Sequence, residues 1–164
     1  MATQTTDPTS SRWPNGARAA IAFTLDNMGE AADLDRNLWP SPSPIGSHYS
    51  VTKVLPQFIA ILAKYSVPAT YFIESWNLNV YPEAIREIAA AGLEVSWHAW
   101  RHEAWGKLND EEAERANFDR SFGEEGLKGF IERSKGDGDV IQPYRGFRPP
   151  GGIIHGERTL GLCR

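Results

Sequence analysis

Short apolar runs alternate with segments of helical periodicity along this 164-residue chain, and this alternation limits the folds available to it. Four runs are predicted to be strands, at residues 17–26, 68–73, 93–97 and 144–147, the first of them buried. From Val51, apolar residues recur at helical spacing, and Pro82 opens a second helix with Ile85 and Ile88 facing inward. Strands that alternate with helices predict a parallel β/α architecture.

The remaining segments set the expected boundaries of the domain. Residues 1–15 are polar and are expected to be disordered, which leaves 16–164 as one domain. Residues 28–48 show no period and are predicted to be a long loop. Asn109 and Glu112 resemble a capping box for an interrupted helix that reaches about residue 134. A turn is predicted at 135–138, and a last helix at 157–162.

Composition and charge argue against several classes of partner. The formal net charge is −4 and no basic stripe is present, so nucleic acid is not expected to bind. The single cysteine, Cys163, provides neither a disulfide nor a thiolate zinc site. Residues 1–12 lack the apolar core of a secretory signal, and no run approaches the roughly 20 apolar residues of a membrane span. We therefore expect a cytoplasmic protein with no membrane partner.

Polar side chains follow three of the predicted strands. His98 and His102 come after the third strand, and two imidazoles four residues apart can bind one divalent metal. Asp26 and Asn27 follow the first strand. Arg148 follows the fourth and precedes a rigid Pro-Pro-Gly-Gly turn, and its guanidinium could grip a carboxylate. In an α/β barrel, such strand ends form the active site, although each residue could also have a purely structural role.

Three short motifs carry a resemblance to a known family. In chain order they are Thr-Leu-Asp-Asn at 24–27, His-Ala-Trp-Arg-His at 98–102 and Phe-Arg-Pro-Pro-Gly at 147–151. Together they resemble the first three motifs of the polysaccharide deacetylases, which include chitin and peptidoglycan deacetylases. The segments Pro-Ala-Thr-Tyr-Phe at 68–72 and Ala-Gly-Leu-Glu-Val at 91–95 resemble the sequences between those motifs.

The resemblance implies a deformed (β/α) barrel and a metal-dependent hydrolase of non-peptide carbon–nitrogen bonds. It implies that Asp26 is the catalytic base, that Arg148 orients it, and that His98 and His102 bind a divalent metal, with zinc expected. The family's metal-binding acid falls on Asn27. We further expect the substrate to contact three residues near these motifs, Trp100, Pro150 and Gly151.

Two departures from the family pattern shape the expectations. An amide at Asn27 can offer an oxygen to a metal but no negative charge, so metal affinity should fall or another ligand must serve. The family's last two motifs, which include its general acid, have no counterpart by residue 164, and the closing strands of the barrel are missing too. We therefore expect only the N-terminal portion of the barrel, poorly stable and weakly active by itself.

Three functional alternatives stay open from the sequence. N-deacetylation of a carbohydrate fits the many tryptophans, which are common in carbohydrate sites but equally serve as buried packing. Hydrolysis of a small cyclic amide or ureide, as in allantoin-like substrates, fits the expected intracellular location. A non-catalytic relative that has lost its metal fits Asn27 and the missing motifs.

Overall fold

A parallel sheet of three strands lies at the centre of the computed structural model, which describes residues 13–40, 43–135 and 144–163. The strand order is β1–β2–β3, with bounds Phe23–Leu25, Ala69–Ile73 and Glu94–Trp97. All pairings are parallel, so the carboxyl ends of the strands lie at the same edge of the sheet. The predicted α/β class is confirmed.

The first strand differs most from its prediction. Only Phe23–Leu25 is extended and paired, whereas a buried strand was expected over residues 17–26. Ile21 is 83% exposed and Phe23 is 49% exposed. Among the described residues β1 pairs with β2 alone, so apolar side chains at this edge of the sheet lack a covering neighbour. The expectation of burial was therefore wrong for this segment.

The connection from β1 to β2 contains more helix than predicted. A short helix, α1 (Ala31–Asp35), interrupts the segment that was expected to be a loop throughout. It forms because Ala31 and Ala32 are fully or nearly buried and so anchor this stretch against the core. One π-helical turn, Ser50–Val54, then leads into α2 (Leu55–Lys64), and Pro56 lies in the first turn of α2, where a missing backbone N–H is tolerated.

Two helices connect β2 to β3. They are α3 (Asn77–Val80) and α4 (Pro82–Ala90), and the predicted inward residues Ile85 and Ile88 of α4 are fully buried. Gly92 follows with a φ of +76°, in the left-handed conformation that commonly ends helices. The prediction of α4 is confirmed, whereas α3 was not predicted.

The helices after β3 follow the predicted interrupted pattern, with one correction at the start. They are α5 (Glu111–Phe122) and α6 (Leu127–Arg133). The N-cap of α5 is Asp110 and not Asn109, because Asp110 has extended backbone angles and its Oδ1 accepts the backbone N–H of Ala113 at 2.8 Å.

The last described helix, α7 (Glu157–Leu162), lies where the sequence predicts it and packs on α5. Its Arg158 donates to the fully buried carboxylate of Glu114, with Nη2 and Oε1 at 2.6 Å. Thr159 donates to the other oxygen of Glu114 and accepts from the indole N–H of Trp105. The ion pair and the Thr159–Glu114 hydrogen bond thus join α5 to α7, and the Trp105–Thr159 hydrogen bond joins α7 to the segment before α5.

The predicted fourth strand is reduced to one bridge. Trp97 pairs in parallel with Phe147, and no longer strand is present at residues 144–147. Pro149 and Pro150 lack backbone N–H groups, which prevents the ladder from continuing past Arg148. The side chain of Trp97 is nevertheless buried among four aromatic rings, those of Trp105, Phe118, Phe122 and Phe147.

Three other expectations concern the chain outside this core. The disorder predicted for residues 1–15 falls almost wholly outside the described residues, and the described part includes a 3-10 turn at Pro14–Gly16. The turn predicted at 135–138 also lies mostly outside them. Among the helices of the described segments, none has the length and hydropathy needed to cross a bilayer.

Candidate metal and acid–base site

The carboxyl ends of β2 and β3 stay hydrogen-bonded beyond the strands themselves. The backbone N–H of His98 donates to the carbonyl of Ile73 at 2.8 Å, and that of Ser75 donates to the carbonyl of Ala99 at 3.0 Å. This pairing places Glu74 and His98 at neighbouring positions on adjacent chain segments.

Glu74, His98 and His102 form a cluster that could hold a metal ion. One donor atom from each residue lies within 4.8 Å of the others, and all three residues are buried. The two imidazole rings have centroids 5.1 Å apart. The structure thus brings the two predicted histidines together and adds Glu74, which the sequence analysis did not consider.

Hydrogen bonds leave one donor atom of each residue available. The Nδ1 of His98 lies 2.6 Å from the carbonyl oxygen of Arg148, which can only accept, so Nε2 is the nitrogen open to a metal. Within the described residues, His102 Nδ1 and Glu74 Oε1 are buried without a hydrogen-bond partner. Such orphaned atoms are expected where a ligand completes the site.

Burial sets the protonation of the cluster. It lowers the pKa of His98 to about 4, and it also lowers the pKa of His102. Both imidazoles are therefore neutral near pH 7, which is the form that ligates metals. Burial raises the pKa of Glu74 to about 8, with a contribution from the charge of Asp26. An ionised Glu74 is thus unfavourable here unless a cation lies beside it.

The backbone around the cluster is conformationally unusual. Ala99 has a φ of +66° and His102 a φ of +74°, and Asn27 has a φ of +58°. Non-glycine residues seldom adopt this left-handed region, and it costs of order 1 kcal/mol or more. Positive φ values on both sides of the site are typical of segments that hold functional side chains in place.

Asp26 and Arg148 form the second part of the site. Arg148 Nη1 lies 3.4 Å from Asp26 Oδ2, and Arg148 Nη2 donates to the Thr24 hydroxyl at 2.9 Å. The guanidinium also stacks over the ring of Phe72, 4.2 Å from its centroid. The side chain of Asp26 is 43% exposed, so water reaches it.

The other predicted site residues have varied environments, and their roles stay predictions. Asn27 is exposed. Trp100 is buried with the guanidinium of Arg120 4.3 Å from its ring centroid, which is a packing environment. Pro150 is buried and its carbonyl accepts from the backbone N–H of Trp105 at 3.0 Å, while Gly151 is exposed with a φ of +84°.

The donor set fits a divalent transition metal. Two neutral imidazoles and one carboxylate are typical zinc ligands, and they leave a coordination position open, as catalytic sites require. One oxygen of Glu74 and one nitrogen of His102 are buried without a partner in the described part of the chain, as expected if such an ion binds there.

Comparison with known proteins identifies the family. The family model described as "Polysaccharide deacetylase" matches residues 42–160, which is most of the chain. The chain belongs to the polysaccharide deacetylase family. The matched residues of this deacetylase-family chain include the histidine pair, Glu74 and Arg148, whereas Asp26 and Asn27 precede them.

Solved structures share the fold of the deacetylase-family chain. A Mycobacterium smegmatis protein classed as a polysaccharide deacetylase is 28% identical, with a TM-score of 0.67, and the match covers 92% of this chain and 49% of that one. A Bacillus subtilis peptidoglycan deacetylase is 22% identical, with a TM-score of 0.55, and the match covers 86% of this chain and 54% of that one. A CE4 family pseudoenzyme from Bacillus anthracis is 18% identical, with a TM-score of 0.55, and the match covers 87% of this chain and 38% of that one.

These likenesses differ in what they support. The two Bacillus structures are under 25% identical and show the fold alone. The chain spans about half the length of the Mycobacterium and Bacillus subtilis structures and less of the pseudoenzyme. Family membership therefore places the chain among the polysaccharide deacetylases, and the activity of a whole enzyme has to be argued from the site.

Proposed function

We propose that this chain forms the metal-binding and proton-accepting part of a hydrolase that removes the acetyl group from an N-acetylated carbohydrate. The observation that carries the proposal is the double role of Arg148. Its side chain contacts Asp26 at 3.4 Å, while its backbone carbonyl accepts from His98 at 2.6 Å. One residue thus links an acid–base group to a buried histidine pair. Membership of the polysaccharide deacetylase family supports the substrate class.

In this proposal His98 and His102 hold a divalent metal, with zinc expected and the amide of Asn27 as a further donor suggested by the sequence. Such an ion, when bound, polarises an amide carbonyl and lowers the pKa of water. The chain itself fixes the imidazoles, because the Arg148 carbonyl selects one tautomer of His98. Burial keeps both rings neutral and shields them from bulk water.

Asp26 acts as the general base. Its carboxylate is accessible to water and is oriented by the Arg148 guanidinium. The carboxylate takes a proton from the attacking water as the water oxygen bonds to the acyl carbon. The carbon–nitrogen bond then breaks, the nitrogen gains one proton in balance with the one that Asp26 removed from water, and a free amine and acetate are released.

Acetate release from chitin oligosaccharides and from N-acetylated peptidoglycan fragments tests the proposal. Asp26→Asn keeps the shape but cannot accept the proton, so activity is expected to fall about 100- to 10,000-fold. Because the pair with Arg148 is half-exposed, the free energy of unfolding should change by less than about 1 kcal/mol. Asp119→Asn, on the exposed face of α5, is the matched control and should keep full activity. Full activity of Asp26→Asn would contradict the role of the base.

One observation favours a second candidate function, that of a non-catalytic carbohydrate-binding relative. Position 27 holds an amide where the resemblance implies an acid. A protein of the same fold is named a pseudoenzyme, and a mutant of that protein is named as having restored enzymatic activity. A chain that binds chitin oligosaccharides but neither retains a metal ion nor releases acetate would support this function. Turnover of a cyclic amide alone would instead indicate a ureide hydrolase.

A further inference from the structure

Glu74 is a fully buried carboxylate with one oxygen held by the protein and one oxygen without a described partner. Its Oε2 accepts from the backbone N–H of Met28 at 3.0 Å and from Asn77 Nδ2 at 3.1 Å. Its Oε1 has no hydrogen-bond partner in the described parts of the chain. A buried carboxylate is stable only when it is hydrogen-bonded, paired or bound to a cation, so the free oxygen needs an explanation.

The two histidines and Asn27 provide no negative charge to balance a divalent cation. An imidazole that ligates a metal through its nitrogen adds no negative charge, and position 27 offers an amide instead of an acid. A site built from these three residues alone would place no negative charge next to a divalent cation. Catalytic zinc sites with two histidines commonly use a carboxylate as their third ligand.

We infer that Glu74 supplies the anionic ligand of the metal site, in place of the acid that position 27 lacks. The inference rests on the metal site of the proposed function and adds one ligand to it. Glu74 Oε1 has no hydrogen-bond partner among the residues that the structure describes, and a donor atom of Glu74 lies within 4.8 Å of those of both histidines. Continuous backbone pairing between the ends of β2 and β3 fixes this arrangement.

Asn77 and Met28 position the ligand. Asn77 Nδ2 donates to Glu74 Oε2 at 3.1 Å and to the Met28 carbonyl at 2.9 Å. These hydrogen bonds connect the Glu74 carboxylate to the start of the 28–40 segment. Holding one carboxylate oxygen in this way orients the other toward the cation, as outer hydrogen bonds do in metal sites.

Two carboxylates of the site thus have different roles, one as a metal ligand and one as a base. Glu74, buried at the end of β2, binds the ion, and Asp26, half-exposed beyond β1, is left free to accept protons. A carboxylate that ligates a cation is a weak base, because the cation stabilises its ionised form. Separating the two carboxylates in this way allows one site to contain both a ligand and a base.

Calorimetric titration of the chelator-treated full chain with Zn²⁺ tests the inference. Glu74→Gln keeps the size of the side chain and removes its charge, so Zn²⁺ affinity is expected to fall about 100-fold or more. Asn27→Ala removes only an uncharged donor, so its loss of Zn²⁺ affinity should be smaller than that of Glu74→Gln. Glu30→Gln removes another fully buried carboxylate, one bonded to Tyr81 and Gly46, and should leave affinity unchanged. An unaltered affinity for Glu74→Gln, or a larger loss for Asn27→Ala, overturns the inference.

Thermal melts and Co²⁺ absorption separate ligation from a structural role. If Glu74 is a ligand, metal-free Glu74→Gln should melt no lower than the unchanged chain, and Zn²⁺ should raise its melting temperature less. The Co²⁺ complex of Glu74→Asp, which keeps a carboxylate, should retain the intense visible absorption of the unchanged chain. The Co²⁺ complex of Glu74→Gln should have a different visible spectrum. A lower melting temperature of metal-free Glu74→Gln together with an unchanged Co²⁺ spectrum would overturn the inference and assign Glu74 to the core.

The outcome is independent of the deacetylase activity. Zn²⁺ binding that requires Glu74, without acetate release, upholds the ligand and contradicts the proposed function. Acetate release by a chain whose Zn²⁺ affinity is unchanged in Glu74→Gln contradicts the ligand and upholds the function. A chain that binds no Zn²⁺ overturns the inference.

Discussion

The two sides of the candidate site are built differently. On the β2–β3 side, Glu74 and His98 are buried and their backbones are joined by hydrogen bonds that continue past the strand ends. On the β1 side, Asp26 is half-exposed and follows a strand of three residues, of which Phe23 and Thr24 are exposed. Metal ligands gain from rigid positions, whereas a group that exchanges protons with water and substrate needs access. The contrast matches these two requirements.

The same contrast predicts where the fold is stabilised. Trp97 lies directly before His98 and is enclosed by four aromatic rings. Trp97→Ala should therefore lower the free energy of unfolding by about 3–5 kcal/mol, because it removes a large buried side chain and leaves a cavity. Urea denaturation measures the change. A loss under about 1 kcal/mol would mean that the β2–β3 side is not the stable half of the molecule.

The junction of α5 and α7 should have the next largest effect. Arg158→Met removes the cation that faces the fully buried Glu114 and should cost roughly 2–3 kcal/mol of stability, discounted because Arg158 is itself partly exposed. Arg115→Met is the matched control, since Arg115 and Glu111 form an exposed pair on α5 that is worth about 0.5 kcal/mol or less. Equal effects of the two substitutions on urea unfolding would refute the buried pair as a stabilising contact.

Substitution of Arg148 tests whether the Asp26 side and the histidine side of the site can be altered separately. Arg148→Lys keeps the charge but cannot donate to Asp26 and Thr24 together, so kcat/KM for acetate release should fall about 10- to 100-fold. Its backbone carbonyl, which accepts from His98, is unaffected, so Zn²⁺ affinity should stay within about threefold. Arg145→Lys, an exposed arginine three residues earlier, is the control. A large loss of Zn²⁺ affinity in Arg148→Lys would indicate that the two sides are not separable.

The smallest effect is expected at the sheet edge. Phe23→Ala should lower stability by less than about 1 kcal/mol, because half of this side chain already contacts water. Urea denaturation beside Trp97→Ala gives the direct comparison. A loss similar to that of Trp97→Ala would show that the β1 edge is covered in solution, and it would remove the contrast between the two sides.

The sequence predicted the parts of this molecule that local patterns determine. Helical spacing and Pro82 located α4 and its buried isoleucines, and the spacing of His98 and His102 after a strand anticipated that the two rings would meet. Burial at the sheet edges could not be predicted in this way, because an apolar run at 17–26 does not reveal whether a neighbouring strand covers it. The single bridge at Phe147 likewise depends on how Trp97 is packed.

Glu74 was missed although its signal is present in the sequence. It follows the strand Ala69–Ile73 directly, just as Asp26 and His98 follow theirs, so the same strand-end argument applies to it. What the sequence could not supply is the environment that distinguishes a ligand from an ordinary polar residue. That environment consists of complete burial, one oxygen held by Asn77 and Met28, and one oxygen left free.

The ion pair between α5 and α7 also constrains how the chain can fold while it is being synthesised. Glu114 is translated long before Arg158, and until α7 leaves the ribosome no guanidinium from that helix can neutralise the carboxylate. Burying Glu114 earlier would place an uncompensated charge in the core, so α5 has to stay loosely attached to the nascent sheet. Helix α7 therefore completes the packing of a helix made more than forty residues before it.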